Sequence, residues 1–180
     1  CSSDLPRDAP DSRPVAPPPG DFVARRRVEF RDTDAAGIVH FSSYFVWMEA
    51  AEHDFLRAAG VRLVEPLPAA GTGGDARGPA VVSWPRVSAT CDYMSAVRFE
   101  DEVDIHVGVE AIGRTSVTYV FRFECRGRAV ARGRVVAVRC VIRHGEAPVA
   151  VEVTPEIRAR LTPFLVAATG SGPRRTDAAP

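Results

Sequence analysis

Two carboxylates precede a glycine-containing turn near the start of the chain. Asp32 and Asp34 lie in the stretch FRDTDAAGIVHF, which runs directly into an apolar segment with helical periodicity. The first N–H groups of a helix lack intrahelical partners and attract developing negative charge. A carboxylate beside them can attack a polarised carbonyl carbon, or activate water to do so. Gly37 allows a ligand to approach the backbone closely at this turn.

Each acidic residue of this region also has a structural interpretation. Asp34, judged alone, fits an Asx turn or a helix cap. Asp32 is expected to cap or order the loop. Glu49, Glu52 and His53 form the polar side of the following helix, and we interpret them as a solvated face.

The apolar periodicity after the turn predicts a helix from about Ser42 to Ala59. Ser42 or Ser43 can cap its N-terminus, and Gly60 can end it. Its apolar positions are Tyr44, Phe45, Trp47, Met48, Ala51, Phe55 and Leu56. Because this stripe is wider than that of an ordinary surface helix, we expect other elements to enclose the helix.

Alternating apolar and polar residues predict strands before and after the helix. The strand segments are DFVARRRVEF, AVVSWPRVSATCDY, 103–109, 117–125 and AVARGRVVAVRCVIR, the last interrupted by Gly133. EAIGRTS and CRGRA are predicted hairpin connections, Pro66–Ala80 a flexible connection, and Pro155–Leu161 a short helix. The order of elements predicts an α+β domain with an antiparallel sheet. Its exposed edges favour dimerisation.

Composition limits the classes of function that are open. Residues 21–165 are predicted to form one domain, between disordered tails at 1–20, which hold six prolines, and 166–180. Lys+Arg and Asp+Glu number 23 each, so net charge gives no reason to expect a nucleic acid partner. No apolar run is long enough for a membrane span, and the four cysteines and four histidines show no metal-ligand spacing. We therefore expect a soluble, cytoplasmic protein without a metal.

Two long segments of the chain resemble a known family. DTDAAGIVHFSSYFVWMEAAEHDFLRAAG and WPRVSATCDYMSAVRFEDEVDIHVGVEAIGRTSVTYVF are similar to the hotdog-fold acyl-CoA thioesterases of the 4-hydroxybenzoyl-CoA thioesterase type. The resemblance implies a hotdog fold, in which a five-stranded antiparallel sheet wraps a long central helix. It also implies hydrolysis of an acyl-CoA, with coenzyme A as part of the substrate and no separate cofactor. The expected assembly is a homodimer or homotetramer.

The resemblance also implies roles for particular residues. Asp34 is the expected nucleophile or general base, and the Phe41 amide, with His40 beside it, is the expected hydrogen-bond donor to the carbonyl oxygen. The expected substrate pocket comprises Gly37, Ile38, Val39, Tyr44 and Trp47, while Arg114, Thr115 and Ser116 are expected to bind the phosphates of coenzyme A. Core packing is an alternative for Tyr44 and Trp47, a packed or solvated side chain for His40, and an exposed hairpin turn for Arg114.

Two other functions are compatible with the same fold. Hotdog enoyl-CoA hydratases and dehydratases carry Asp-x-Asn-Pro-x-His, whereas this chain has Ala36 and Gly37 in place of Asn-Pro and its histidine six residues after Asp34. That mismatch disfavours a hydratase. A module that binds an acyl-CoA or an acyl carrier without turnover stays open, although the intact Asp34 argues against it.

Overall fold

A computed structural model of the chain describes residues 22–67 and 80–166. The predicted tails, except for Val166, and most of the predicted connection between Pro66 and Ala80 lie outside the described residues. The strands are β1 (Phe22–Arg27), β2 (Glu65–Pro66), β3 (Ala80–Ser83), β4 (Arg86–Tyr93), β5 (Glu102–Ile112), β6 (Ser116–Cys125), β7 (Arg128–Val138), β8 (Cys140–Arg143) and β9 (Val149–Ala150). The α-helices are α1 (Ser43–Ala58) and α2 (Pro155–Leu161), and short 3-10 helices cover Phe30–Asp32 and Thr162–Phe164.

The main sheet has five antiparallel strands in the order β1-β5-β6-β7-β4. The predicted five-stranded antiparallel sheet is therefore confirmed. Strands β5, β6 and β7 follow one another as hairpins. The two-residue turn between β6 and β7 places both Arg126 and Gly127 at positive φ, 52° and 73°, as tight hairpin turns require.

Two segments predicted as single strands are each divided between two sheets. The chain leaves β3 at Trp84 and Pro85 to begin β4, and it passes from β7 to β8 at Arg139. Strands β3 and β8 belong to a second sheet with the order β2-β3-β8-β9. The buried Arg139 holds this junction, because its guanidinium contacts Glu65 at 3.0 Å and donates to the carbonyl of Glu152 at 2.9 Å.

Helix α1 ends as predicted but begins differently. Gly60 has φ +70°, and its amide donates to the carbonyl of Arg57. The Val61 amide donates to the carbonyl of Leu56 at 2.8 Å. These two hydrogen bonds form a Schellman motif. The predicted serine cap is wrong, because the side chain of Ser42 makes no cap hydrogen bond. The hydroxyl of Ser43 instead donates to the carbonyl of Asp32 at 3.0 Å.

The apolar side of α1 packs on one face of the main sheet. Phe55 contacts the rings of Phe22, Tyr119 and Phe164 at centroid distances of 4.9 to 6.2 Å. Gly133 does not interrupt β7, contrary to the prediction. A Cβ atom at Gly133 would lie 2.1 Å from the sulfur of Met48, so this glycine allows α1 to approach the sheet closely.

Glu52 lies inside the molecule, and its assignment to a solvated face was wrong. It follows Met48 by one helical turn and has no exposed surface. Arg86 lies at the start of β4, and its Nε donates to Glu52 Oε2 at 3.3 Å. Its Nη2 lies 3.2 Å from Glu52 Oε1, but this ion pair does not have the geometry of a hydrogen bond. Glu49, 55% exposed, and His53 also contact Arg86, at 3.3 and 2.8 Å.

Burial dominates the ionisation of this cluster. It raises the pKa of Glu52 to about 7, although Arg86 opposes the shift and Glu49 adds to it. Burial also lowers the pKa of His53, with Arg86 acting in the same direction. The hydroxyl of Tyr119 is buried without a hydrogen-bond partner in the described residues. Its pKa is raised by burial and by the nearby Glu52.

Replacing Gly133 with alanine is expected to destabilise the protein by about 1–3 kcal/mol, because the added methyl group overlaps Met48. Urea denaturation of Gly133→Ala measures this loss. In a Met48→Ala background the same substitution should cost much less, since the obstructing sulfur is gone. An equal cost in both backgrounds would contradict the contact.

Glu52 gives stability a defined pH dependence. Its folded-state pKa lies above the ordinary value of 4.5, so the folded chain binds this proton more tightly than the unfolded chain. The stabilisation is complete below pH 4.5 and is lost as the pH rises through about 7. As the pH rises from about 5 to 8, the unfolding free energy of the unsubstituted protein should therefore fall by roughly 2 to 3 kcal/mol more than that of Glu52→Gln.

Urea denaturation across this pH range measures the difference between the two proteins. Other titrating groups, including His53 with its opposite shift, are common to both and largely cancel. Glu146→Gln, the same change at an exposed residue outside this cluster, is the matched control and should leave the slope unchanged. Identical slopes for Glu52→Gln and the unsubstituted chain would refute the raised pKa.

Candidate active site

Asp34 opens a tight turn that ends at the start of α1. Its amide donates to the carbonyl of Ile38 and its carbonyl accepts from the amide of Gly37, both at 2.9 Å. Gly37 has φ +71°, a backbone conformation that favours glycine. The amide of Val39 then bonds the carbonyl of Val97 at 2.8 Å, which ties the turn to the segment that precedes β5.

The Asp34 side chain forms the Asx turn that its structural interpretation predicts and keeps one carboxylate oxygen outside that turn. Its Oδ1 accepts the Ala36 amide at 2.8 Å, which is an Asx turn. Its Oδ2 has no partner among residues 22–67 and 80–166, and Asp34 is exposed. The turn therefore orients the carboxylate and leaves one oxygen available for chemistry.

Asp32 orders the loop, as predicted. Its carboxylate accepts the Glu29 amide at 2.9 Å, and its carbonyl accepts the His40 amide at 2.8 Å. The Ser43 hydroxyl donates to the same carbonyl. Asp32 thus connects the beginning of the loop to the first turn of α1, and its carboxylate is engaged in that connection.

The Phe41 amide has no hydrogen-bond acceptor within the described parts of the chain. The amides on either side are engaged, since that of His40 bonds the Asp32 carbonyl at 2.8 Å and that of Ser42 donates to Nδ1 of His40 at 3.4 Å. The Phe41 carbonyl accepts the hydroxyl of Tyr93 at 3.1 Å. An unpaired N–H at the start of a helix is a suitable donor to a developing oxyanion.

His40 is tied to the helix start and to the ring of Phe41. Its Nδ1 lies 2.7 Å from the Ser42 hydroxyl, and its ring packs against Phe41 at a centroid distance of 4.4 Å. His40 does not line the pocket described below. The structure therefore places it next to the amide donor.

A pocket of about 370 Å³ brings Asp34 and Phe41 together. Its lining comprises Asp34, Ile38, Val39, Phe41, Tyr44, Tyr93, Met94, Ser95, Ala96 and Val97. The rings of Tyr44 and Tyr93 pack at 5.3 Å. Burial raises the pKa of Tyr44 to about 12, so its phenol stays protonated at neutral pH.

Trp47, which we expected in the pocket, lies in the core instead. It is 5% exposed, and its ring packs on Tyr44 at 5.3 Å, behind the pocket wall. Gly37 shapes the turn but does not line the pocket. The segment from Tyr93 to Val97 lines the pocket but was assigned no role from the sequence. No local pattern marks it, because its proximity to Asp34 arises from the packing of β4 beside α1.

The predicted phosphate-binding residues lie far from Asp34 within one chain. The Asp34 turn adjoins the start of β5, whereas Arg114, Thr115 and Ser116 follow its end. An antiparallel strand extends by about 3.4 Å per residue. The 11 residues of β5 therefore separate the two groups by roughly 30 Å. Arg114 is largely exposed, and its guanidinium lies 3.5 Å from Glu152.

The described residues contain neither a candidate metal site nor a helix that could span a membrane. No cluster of three or more His, Cys, Asp or Glu side chains there has a geometry that could hold a metal ion. Neither α1 nor α2 is long and apolar enough to cross a membrane.

Comparisons with known proteins show the family to which this chain belongs. The family model of the thioesterase-like superfamily matches residues 28–161. A 1,4-dihydroxy-2-naphthoyl-CoA hydrolase of Synechococcus sp. (strain WH7803) is 30% identical over 130 residues, which cover 71% of this chain and 83% of the relative.

Solved structures share the fold. A gentisyl-coenzyme A thioesterase superposes with a TM-score of 0.60 at 25% identity, covering 78% of this chain and 99% of the other. A 1,4-dihydroxy-2-naphthoyl-CoA thioesterase from Synechocystis superposes with a TM-score of 0.62, covering 79% of this chain and 96% of the other; at 16% identity it supports the fold alone. The match over residues 28–161 shows that this chain belongs to the hotdog-fold thioesterases, a family of thioester hydrolases.

Proposed function

We propose that this protein hydrolyses the thioester bond of an acyl-CoA. The observation that carries the proposal is that Asp34 and Phe41 line the same pocket. Within the described residues, Asp34 Oδ2 and the Phe41 amide have no hydrogen-bond partner. A thioester carbonyl between them would have a base or nucleophile near its carbon and a donor near its oxygen. No metal or other cofactor is needed for these steps.

Asp34 acts as a general base or as a nucleophile in this mechanism. As a base it removes a proton from water, whose oxygen attacks the carbonyl carbon while the Phe41 amide stabilises the charge on the carbonyl oxygen. The C–S bond then breaks, and the thiolate of coenzyme A takes a proton. As a nucleophile Asp34 displaces the thiolate to form an acyl anhydride, which water hydrolyses. Both routes yield the free acid and coenzyme A.

The pocket walls suggest an aromatic acyl group. Tyr44 and Tyr93 offer ring faces, and the remaining lining is mostly apolar or small, which suits stacking of a planar acyl group. The names of two relatives support this assignment, since they specify 1,4-dihydroxy-2-naphthoyl-CoA and gentisyl-CoA. We therefore propose aromatic acyl-CoAs as the first substrates to assay.

Two copies of the chain are proposed to pair through β4. None of the eight residues of this edge strand is buried, and its outer edge is unpaired among the described residues. An exposed edge of this length is a template for antiparallel pairing with a second copy. We expect α1 to be the central helix enclosed by the sheet in that assembly.

Such pairing would place a phosphate site of one copy near the Asp34 of the other. Strand β4 runs from Arg86, at the Arg114 end of the sheet, to Tyr93, at the pocket. Antiparallel pairing of two β4 strands therefore brings the Arg114 end of a second copy toward the pocket end of the first. The separation of roughly 30 Å within one chain favours this arrangement.

Asp34→Asn is expected to lower kcat by about 100-fold or more, because the amide is neither a base nor a good nucleophile. Release of thiol from a panel of aromatic and aliphatic acyl-CoAs measures the effect. Asp104→Asn, the same change at an aspartate outside the pocket, is the matched control and should retain activity. Near-normal turnover by Asp34→Asn would refute the role of Asp34. Binding of acyl-CoA without turnover by the unsubstituted chain would indicate a binding module.

Mixing two impaired variants tests the contribution of the second copy. Arg114→Ala should raise KM about tenfold by removing a charge-assisted contact to phosphate. If Arg114 serves the other copy, dimers formed from Asp34→Asn and Arg114→Ala chains contain one intact site of two. After unfolding and joint refolding, a random mixture should then regain about a quarter of normal activity at low substrate concentration. Activity no greater than the average of the two variants would refute sharing.

A further inference from the structure

Tyr93 makes a contact that the proposed chemistry does not require. It is the last residue of β4, and its hydroxyl donates to the Phe41 carbonyl at 3.1 Å. The carbonyl has no backbone donor in the described residues, since the Phe45 amide bonds Ser42 instead. A side chain on the edge strand thus replaces the backbone donor that a helix would normally supply at this position.

Few other contacts hold Phe41. The residue is 60% exposed, and its ring packs against that of His40. The Ser42 amide, in the same peptide unit as the Phe41 carbonyl, donates to His40 Nδ1 at the long distance of 3.4 Å. The peptide unit that carries the Phe41 N–H also carries the His40 carbonyl, which the Ser43 amide holds at 3.0 Å. Because a peptide unit is planar, that bond also restrains the N–H. The unit on the other side of the Phe41 Cα is held by Tyr93.

We infer that Tyr93 is a positioning residue for the oxyanion donor, its hydroxyl holding the Phe41 backbone so that the free N–H keeps its direction into the pocket. The inference rests on the proposed function of the Phe41 amide. Donors at such sites act because they are oriented before the reaction, and small displacements reduce that benefit. Tyr93 achieves this through Phe41, without contributing a group to the reaction itself.

The position of Tyr93 on β4 extends the inference to the assembly. The strand that orients the donor is the one whose free edge we propose to pair with a second copy. Pairing would restrict the movement of β4 and hence of Tyr93. The geometry of the donor would then depend on an intact interface.

Tyr93→Phe separates positioning from pocket lining, because the ring that packs on Tyr44 is retained. We expect kcat for benzoyl-CoA to fall roughly tenfold while KM changes less than about twofold, because an oxyanion donor stabilises the transition state much more than it stabilises the bound substrate. Tyr119→Phe is the matched control, because it removes a hydroxyl that has no partner in the described residues. It should leave both constants unchanged.

Carbonyl polarisation gives a direct readout that a general loss of structure would not produce. Benzoyl-CoA labelled with carbon-13 at the carbonyl is bound to Asp34→Asn, whose lowered kcat leaves time to record the spectrum before the thioester is consumed. The infrared carbonyl stretch should shift to lower frequency on binding, and the double variant Asp34→Asn/Tyr93→Phe should show a smaller shift. Equal shifts, or an unchanged kcat for Tyr93→Phe, would overturn the inference. Failure of the unsubstituted chain to hydrolyse any acyl-CoA would instead refute the proposed function.

Discussion

The contact between α1 and the inner face of the main sheet is the constraint on which the rest of the molecule depends. Gly133 leaves room for Met48, so the helix lies close to β7. Since a helix is rigid, its position at this contact also determines where its N-terminus projects. The first turn of α1 thereby comes beside the end of β4, and the pocket forms between them. A side chain at position 133 would move the helix and disturb the pocket at its end.

The loop that leads into α1 is held mainly by groups other than those that the proposed reaction would use. Main-chain hydrogen bonds and the carboxylate of Asp32 hold the loop at several points. One oxygen of Asp34 is used in the Asx turn, while the other stays free. The amide of Phe41 is left without an acceptor although the amides on either side are bonded. The groups left unpaired are therefore those that the proposed reaction would use.

Strand β4 connects three features that are separate in the sequence. Its first residue, Arg86, pairs with the buried Glu52, and its last, Tyr93, contacts the helix start. Its outer edge is the surface that we propose for a second copy. The buried ion pair, the contact to the helix start and the edge proposed for pairing therefore lie on one strand.

Local backbone structure could be predicted from the sequence, whereas contacts between residues far apart along the chain could not. Helix periodicity, the Gly60 stop and the Asp34 turn depend on residues within a few positions of one another, so their predictions held. Glu52 was misassigned because a helix pattern identifies a face but not its charge partner, Arg86, which another strand supplies. Tyr93 was missed because its partner, the Phe41 carbonyl, lies on a distant segment of the chain. The sequence by itself determined helix α1, the strands of the main sheet and the Asp34 turn. Tertiary packing alone decided which side chains meet there, because strand order and helix placement bring together residues that are far apart along the chain.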